Sequence, residues 1–294
     1  MNLKQIETFV WVATLGSFRK AAEKLNSSQP AISSRIDALE TLLGVKLFER
    51  HAGRFTLSAK GMELLPYAQK LFLMSVMFKE RACEANTLSG VLRLGVSETI
   101  VHTWLSEFLK RVHDQYPMVT IELTVDVTST MRDELVARSL DLSFLMGPIS
   151  MYSIENAFLC DYELAWICRS DFDLPEGDIP LADLLSKPIL TYARNTRPFA
   201  EIHALTKKEG IAIPRLFPST SLSACQRMTE DGLGIGTLPM ALIKDALAQG
   251  SLRKLETSWS PSSLVFTASY PREPVNPIAE HMAALAVEVA ASHS

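Results

Sequence analysis

The chain contains little cysteine, no long apolar run and no pattern typical of export. Its 294 residues include four cysteines, which form no CxxC pair and no metal-ligand spacing: Cys83, Cys160, Cys168 and Cys225. No stretch reaches the roughly 18 uncharged apolar residues that a membrane-spanning helix needs. The first residues also lack the basic-then-apolar pattern of a signal peptide. We therefore expect a cytoplasmic protein with reduced thiols, no cofactor, no metal and no membrane partner.

Patterns of catalysis are missing as well. The six histidines show no ligand spacing, and Gly95-Val96-Ser97 lacks the final glycine of a nucleophile elbow. Residues 232–236 carry alternating glycines, but they follow a predicted helix and precede a predicted strand. A dinucleotide-binding loop requires the opposite order, so close helix-to-strand packing explains these glycines better. We predict no enzyme activity.

Composition is that of an ordinary globular protein, with 47% hydrophobic and 21% charged residues, and the length predicts two domains. The net charge of −4 is unevenly distributed. Residues 1–60 hold nine Lys or Arg against five Asp or Glu, whereas the remainder holds 20 against 28. A basic N-terminal region on an acidic body indicates that the N-terminal region meets a polyanion.

Helical spacing of apolar residues predicts short helices at residues 3–14 and 18–25, separated by Gly16 and capped by Ser17. A tight turn at 26–28 leads into a third helix from Gln29 to about Leu43, with Ser28 as its N-cap. Ile32, Ile36, Leu39 and Leu43 are predicted to face inward, and Ser33, Ser34 and Asp37 outward. Two short helices joined by a polar turn are typical of a helix-turn-helix.

Two further elements complete the N-terminal third. Residues 47–57 predict a hairpin around Gly53 that carries Arg50 and Arg54. Residues 58–88 predict a long helix, kinked near Pro66, with a 3.5-residue repeat made by these positions: Leu64, Ala68, Leu71, Ser75, Phe78, Ala82 and Ala85. The repeat favours a dimeric coiled coil over a single helix packed on its own domain.

After residue 90 the pattern becomes strand–helix–strand–helix–strand, with strands at 91–96, 119–125 and 142–146 and helices near 104–113 and 129–139. A second α/β set has strands at 189–192, 214–217 and 236–238 and helices near 199–209 and 222–231. A strand at 265–270 returns to the first set, before a final helix from Asn276. This order predicts two α/β lobes with mostly parallel sheets and a ligand cleft between them.

Residues 25–40, Leu-Asn-Ser-Ser-Gln-Pro-Ala-Ile-Ser-Ser-Arg-Ile-Asp-Ala-Leu-Glu, resemble the LysR-type transcriptional regulators. The flanking segments 18–25, 43–50 and 57–61 fit the same family, as does Gly232–Pro239 further along. The resemblance covers the whole chain. It implies an α/β protein with a winged helix-turn-helix at 1–58, a linker and dimerisation helix at 59–88, and a periplasmic-binding-protein-like effector domain at 89–294. Lobe I would comprise about 89–161 and 267–294, and lobe II about 162–266.

The same resemblance implies a homodimer or homotetramer that binds double-stranded promoter DNA and changes its contacts with RNA polymerase. Gln29, Pro30 and Ser33 would lie in the major groove, where the Gln29 amide can read an adenine edge. Arg35, Arg50 and Arg54 would hold phosphates. The predicted DNA-binding set is Ser17, Arg19, Ser28, Gln29, Pro30, Ser33, Ser34, Arg35, Arg50 and Arg54.

For the effector, the resemblance implies contacts after the first and second strands of the domain and at the start of the second lobe. The predicted set is Ser97, Glu98, Thr99, Ile100, Thr128, Arg194, Asn195, Thr196 and Arg197. Hydroxyls and helix N-termini suit an anion, and Arg194 or Arg197 could clamp a carboxylate. We therefore hypothesise a small organic acid, aromatic acids included. Alternatively, the arginines are surface charges and the hydroxyls only cap helices.

Other readings remain open on sequence grounds. The effector could be a molecule without a carboxylate, or an oxidant that pairs Cys160 with Cys168. An exported solute-binding protein would share the two lobes, and a metabolic enzyme could carry an appended DNA-binding head. Residues 17–40 favour the regulator over both.

Overall fold

The computed structural model describes residues 1–51, 54–82, 88–210 and 215–293. Its contacts divide the chain into two compact units. One comprises Met1–Gly90 with Tyr116–Met118 and Pro271–Ile278; the other comprises Val91–Gln115, Val119–Tyr270 and Ala279–Ser294. The predicted turn at Gly53 and the predicted positions Cys83, Ala85 and Pro214 lie outside the described residues.

The N-terminal unit begins with three helices, α1 (Leu3–Leu15), α2 (Phe18–Lys24) and α3 (Gln29–Leu43). An antiparallel hairpin of β1 (Phe48–His51) and β2 (Arg54–Leu57) leads into the long α4 (Ala59–Ala82). The Ser17 and Ser28 hydroxyls accept hydrogen bonds from the N–H groups of Lys20 and Ala31, which confirms both predicted N-caps. Helix α4 continues through Pro66.

One apolar core holds this unit together. Phe9, Ile32 and Leu39 are almost completely buried, and the Phe48 ring of the hairpin meets the Phe9 ring edge-on at 5.6 Å. The predicted inward position of Leu43 is wrong, since its side chain is 41% exposed. Leu43 is the last residue of α3, where the helix extends past its buried part and stops at a left-handed Gly44.

The second unit contains two five-stranded sheets, which define a first and a second lobe. The first sheet has the order β4-β3-β5-β12-β6. Its elements are β3 (Gly90–Val96), α5 (Glu98–Val101), α6 (Leu105–Gln115), β4 (Val119–Val125), α7 (Thr128–Val136), β5 (Leu142–Met146), β6 (Ile154–Tyr162) and, near the C-terminus, β12 (Leu264–Pro271). Helix α12 (Pro277–Ala291) follows β12.

The second sheet has the order β11-β7-β10-β8-β9. Its elements are β7 (Leu164–Arg169), α8 (Leu181–Leu185), β8 (Ile189–Tyr192), α9 (Arg197–Lys208), β9 (Leu216–Ser219), α10 (Leu222–Glu230), β10 (Ile235–Pro239), α11 (Met240–Ala248) and β11 (Leu252–Lys254). Cores form around the strands, as shown by buried Trp166, Ile235 and Leu238.

The sheets are mixed, which corrects the expectation that they are mostly parallel. Strand β5 pairs in parallel with β3 but antiparallel with β12, and β10 pairs in parallel with β8 but antiparallel with β7. The antiparallel pairs come from the strands that pass between lobes. The sequence of residues 164–168 does not predict the antiparallel strand β7. A fully buried strand is a continuous apolar run and lacks the alternation of apolar and polar residues that identifies a half-exposed strand.

Close packing accounts for the alternating glycines between α10 and β10. A Cβ on Gly234 would lie 2.5 Å from the Pro188 carbonyl oxygen, and one on Gly236 would lie 2.3 Å from the Thr229 hydroxyl. Because no side chain fits at those distances, only glycine lets the helix return so tightly to the strand.

Candidate functional site

Helix α3 has one buried and one solvent-facing side. Ile32 and Ile36 are buried, whereas Gln29, Pro30 and Ser34 are exposed. The exposed residues include the first turn of the helix, the part that a helix-turn-helix brings to base edges. Ser33 and Arg35 are only partly exposed.

The other predicted DNA-contacting residues are distributed around this helix. The Ser17 and Ser28 hydroxyls already serve as caps that fix the N-termini of α2 and α3. Arg19 is exposed and its Nε lies 3.9 Å from the Glu23 carboxylate. Arg50 and Arg54 lie in β1 and β2, as predicted for a wing, but their side chains are outside the described part of the structure.

A buried carboxylate links α3 to the hairpin. Glu40 is 6% exposed, and its Oε1 accepts hydrogen bonds from the N–H groups of Leu47 (2.8 Å) and Phe48 (3.3 Å). The Lys46 Nζ lies 2.6 Å from Oε2, and the hydrogen bond and charge of Glu40 raise the pKa of that amine. The sequence pattern does not reveal this role, because a glutamate among helical polar residues ordinarily faces solvent.

A cavity of about 360 Å³ lies between the two lobes of the second unit. Its wall is formed by the C-terminal ends of strands and the N-terminal ends of helices from both lobes, as expected for an α/β ligand cleft. Five of the predicted effector-binding residues line it: Ser97, Glu98, Thr99, Thr128 and Thr196.

Glu98 joins the lobes directly. This first-lobe side chain reaches the N-terminus of α10 in the second lobe, where Oε1 accepts hydrogen bonds from the Ser223 N–H (3.1 Å), the Ser223 hydroxyl (2.8 Å) and the Ser221 hydroxyl (3.2 Å). Its Oε2 accepts a further bond from the Leu222 N–H. Burial by itself raises the pKa of Glu98, but the hydrogen bonds outweigh it and bring the pKa below the usual 4.5.

The remaining predicted effector residues do not line this cavity, which corrects the proposed arginine clamp. The Arg194 guanidinium lies over the Phe199 ring at 5.5 Å. Arg197 donates to the Ser263 carbonyl oxygen and lies 3.7 Å from the Glu201 carboxylate. Both arginines are thus held by protein groups outside the cavity wall.

Asn195 and Ile100 also lie elsewhere. Asn195 donates to the Ser129 hydroxyl at 2.8 Å, which makes a second bond between the lobes beside the cavity. Ile100 is fully buried within the first lobe. Both are sequence neighbours of lining residues; Ile100 lies in a helix, where neighbouring side chains point in different directions, and Asn195 lies in the turn before α9.

Several lining residues escaped sequence analysis. Those with polar groups are Asp126, Tyr192, Ser219, Thr220 and Cys225, and the apolar ones include Met146, Leu222, Leu264 and Phe266. Tyr192, Ser219 and Met146 end strands β8, β9 and β5, so a rule that inspects every strand end would have found them. Phe266 and Leu264 come from β12, whose neighbours are decided by the tertiary fold.

A helix-turn-helix with a following hairpin, in one chain with a two-lobed α/β module that encloses a cavity, defines a ligand-responsive DNA-binding protein. Comparison with known proteins agrees. Residues 3–62 match the family of bacterial regulatory helix-turn-helix proteins of the lysR type, and residues 85–291 match the LysR substrate binding domain. The chain therefore belongs to the LysR family: it is a DNA-binding transcription regulator with an effector-binding domain, and not an enzyme.

Individual proteins are similar to the chain over most of its length, the solved structures in their fold. The HTH-type transcriptional regulator GltR of Bacillus subtilis is 26% identical over 253 residues, which is 86% of this chain and 84% of GltR. Full-length LysG of Corynebacterium glutamicum with bound effector Arg has a TM-score of 0.64 at 18% identity, with 99% of both chains covered. CbnR complexed with its target DNA has a TM-score of 0.52 at 23% identity and covers 99% of this chain and 100% of CbnR.

No helix within the described residues combines the length and the hydrophobicity that crossing a membrane requires. Within the same ranges, no three or more His, Cys, Asp or Glu side chains come together as a metal site would require.

Proposed function

We propose that this regulator reads operator DNA through the exposed edge of α3 and alters that binding when a small molecule enters the interlobe cavity. In this proposal the DNA-binding domain ends at residue 58, the linker helix ends at residue 88, and the effector-binding domain follows, as predicted from the sequence. The observation that carries the proposal is the two-sided α3, whose apolar side is buried and whose Gln29, Pro30 and Ser34 are exposed.

Base recognition would come from the first turn of α3. The exposed Gln29 amide has the two-atom geometry that pairs with an adenine edge, and Ser33 and Ser34 are small enough to allow close approach. Arg19, Arg35, Arg50 and Arg54 would supply phosphate contacts, which position the helix without reading sequence. CbnR, a solved structure of the same fold, is complexed with its target DNA, which supports DNA binding by this chain.

Operator recognition of this type needs two copies of the helix one DNA turn apart, and α4 offers the surface to supply them. Exposed apolar side chains follow one another at steps of four, three and four residues: Tyr67, Leu71, Met74 and Phe78. This differs from the predicted seam, because Leu64 and Ala68 pack into their own unit's core instead. We propose that the observed stripe pairs with a second copy, as a homodimer or within a homotetramer.

The cavity would hold the effector. Its volume suits a metabolite-sized molecule, and groups from both lobes would contact it at once, so that binding changes the interlobe geometry. Because Arg194 and Arg197 lie outside the cavity wall, an organic acid in this cavity could be bound only by hydroxyls and helix N-termini. Contacts with RNA polymerase belong to the proposal through the family resemblance alone.

The test is a gel-shift titration on the chain's own upstream DNA, with a scrambled fragment as competitor. Gln29→Ala should lose about 1–3 kcal/mol of discrimination between the two fragments while general DNA affinity persists. Gln249→Ala, a change at the C-terminal end of α11, serves as the matched control. Unchanged discrimination in Gln29→Ala would show that α3 does not read bases.

A further inference from the structure

The wall of the cavity carries charge of one sign only. Among the described residues that line it, the charged side chains are Glu98 and Asp126, and none is Lys, Arg or His. Arg194 and Arg197, the nearest predicted cations, are held outside by Phe199 and Ser263. A molecule with net negative charge would enter with no opposite charge to offset its desolvation.

One anion site of the cleft is already filled by the protein. The N-terminus of α10 presents the N–H groups of Leu222 and Ser223 together with the Ser223 hydroxyl, the donors that an external carboxylate would use. All three donate to the Glu98 carboxylate instead. An effector carboxylate could reach them only by displacing a side chain of the same charge.

Two hydroxyls of the wall can only accept hydrogen bonds from a ligand. Thr196 donates its proton to the Ala193 carbonyl oxygen at 2.6 Å, and Ser219 donates its proton to the Ser221 carbonyl oxygen at 3.0 Å. A hydroxyl has one proton, so both oxygens can offer a ligand only lone pairs. Asp126 adds two further acceptor oxygens.

An unsatisfied group marks where a ligand's polar end would lie. The Tyr192 hydroxyl is buried, and no described residue gives it a hydrogen bond of normal geometry, although Thr99 is near enough to affect its pKa. Burial raises the pKa of this phenol, so the hydroxyl stays protonated. In the same cavity wall, Phe266 and Leu264 supply apolar surface for the body of a ligand.

We infer that the effector is a small molecule with hydrogen-bond donors, an apolar body and no net negative charge, such as an amine, amide or alcohol. This rests on the proposed function, since it names the ligand class of the same cleft. It replaces the organic-acid hypothesis, because the described wall carries two carboxylates and no cation, and because Glu98 already occupies the N–H groups of α10 that an acid would use.

The test compares three probes of equal size, benzylamine, benzamide and benzoate, by thermal unfolding of the full chain at equal millimolar concentration and constant ionic strength. Benzylamine or benzamide should raise the unfolding temperature by about 2 °C or more, and benzoate should not. Tyr192→Phe should reduce the shift, whereas Tyr152→Phe, at a side chain 91% exposed and away from the cavity, should keep it.

A variant of Glu98 provides a second test. Glu98→Ala frees the N–H groups of α10, so benzoate should then raise the unfolding temperature of the variant above that of its own ligand-free form. The inference is overturned if benzoate stabilises the original chain as much as benzamide does, or if neither uncharged nor cationic probe stabilises it. Gel shifts on the same samples test the proposed DNA-binding function separately. If the protein still binds operator DNA after either overturning result, only the ligand class is wrong.

Discussion

The Glu40 carboxylate accepts a hydrogen bond from the Leu47 N–H at 2.8 Å, and this bond connects the last turn of α3 to the start of the hairpin. The connecting segment has little regular structure of its own, so its N–H groups depend on a side-chain acceptor. The buried carboxylate thus adds a polar link between α3 and the hairpin to the apolar packing of Phe48.

Removing that carboxylate should destabilise the N-terminal unit. Glu40→Ala leaves two buried N–H groups without an acceptor and should lower the free energy of unfolding by about 2–3 kcal/mol. Urea unfolding followed by far-ultraviolet circular dichroism measures the effect. Asp37→Ala, an exposed carboxylate on the same helix, should change it by less than about 0.5 kcal/mol. Equal effects of the two variants would contradict the structural role of Glu40.

The Glu98 link predicts a specific pH dependence. Because hydrogen bonds hold the folded pKa of Glu98 below 4.5, its contribution is fully present above pH 4.5 and is lost as the pH falls through the lower, folded value. Glu98→Gln should lower stability by about 1–2 kcal/mol at neutral pH.

Urea titrations of the original chain and Glu98→Gln at several pH values check this. Their difference in unfolding free energy should shrink steadily below pH 4.5, where protonation makes the two side chains alike. A difference independent of pH would mean that the charged link does not form.

The exposed stripe on α4 should control assembly. A double variant Leu71→Lys/Phe78→Lys places charges where an apolar partner surface is expected, and sedimentation velocity should show a halved mass or a strongly concentration-dependent one. Operator affinity should fall about a hundredfold, because the second half-site loses its tethered partner. Met62→Lys is the matched control, since Met62 is 60% exposed but lies outside the stripe. A fully assembled double variant would refute the assignment of the surface.

The described cysteines should be unreactive in the folded protein. Burial raises the pKa of Cys160, Cys168 and Cys225, the last to about 11, so little thiolate is present near neutral pH. In a Cys83→Ser background, labelling with a disulfide reagent should be roughly a hundredfold slower in the native than in the urea-unfolded state. Rapid labelling of Cys160 or Cys168 in the native protein would contradict this prediction and support the alternative that the effector is an oxidant.

Local patterns predicted the N-terminal unit well. Ser17 and Ser28 cap their helices, Ile32, Ile36 and Leu39 face the core, and the hairpin strands lie where the sequence places them, because each feature depends on residues a few positions apart. The error at Leu43 has the same origin: helical periodicity cannot tell where the packed part of a helix ends.

By itself, the sequence determined the class of protein, the helix-turn-helix and the strand ends from which Ser97, Glu98, Thr99 and Thr128 reach the cleft. Only the tertiary structure decided that Arg194 and Arg197 turn away, that Glu98 fills the N-terminus of a helix more than 120 residues along the chain, and that Tyr192 is left with an unsatisfied hydroxyl. The physical reason is distance along the sequence. Helix caps and periodicity depend on residues a few positions apart, whereas the charge and polarity of a cavity wall depend on which distant side chains meet when the two lobes pack together.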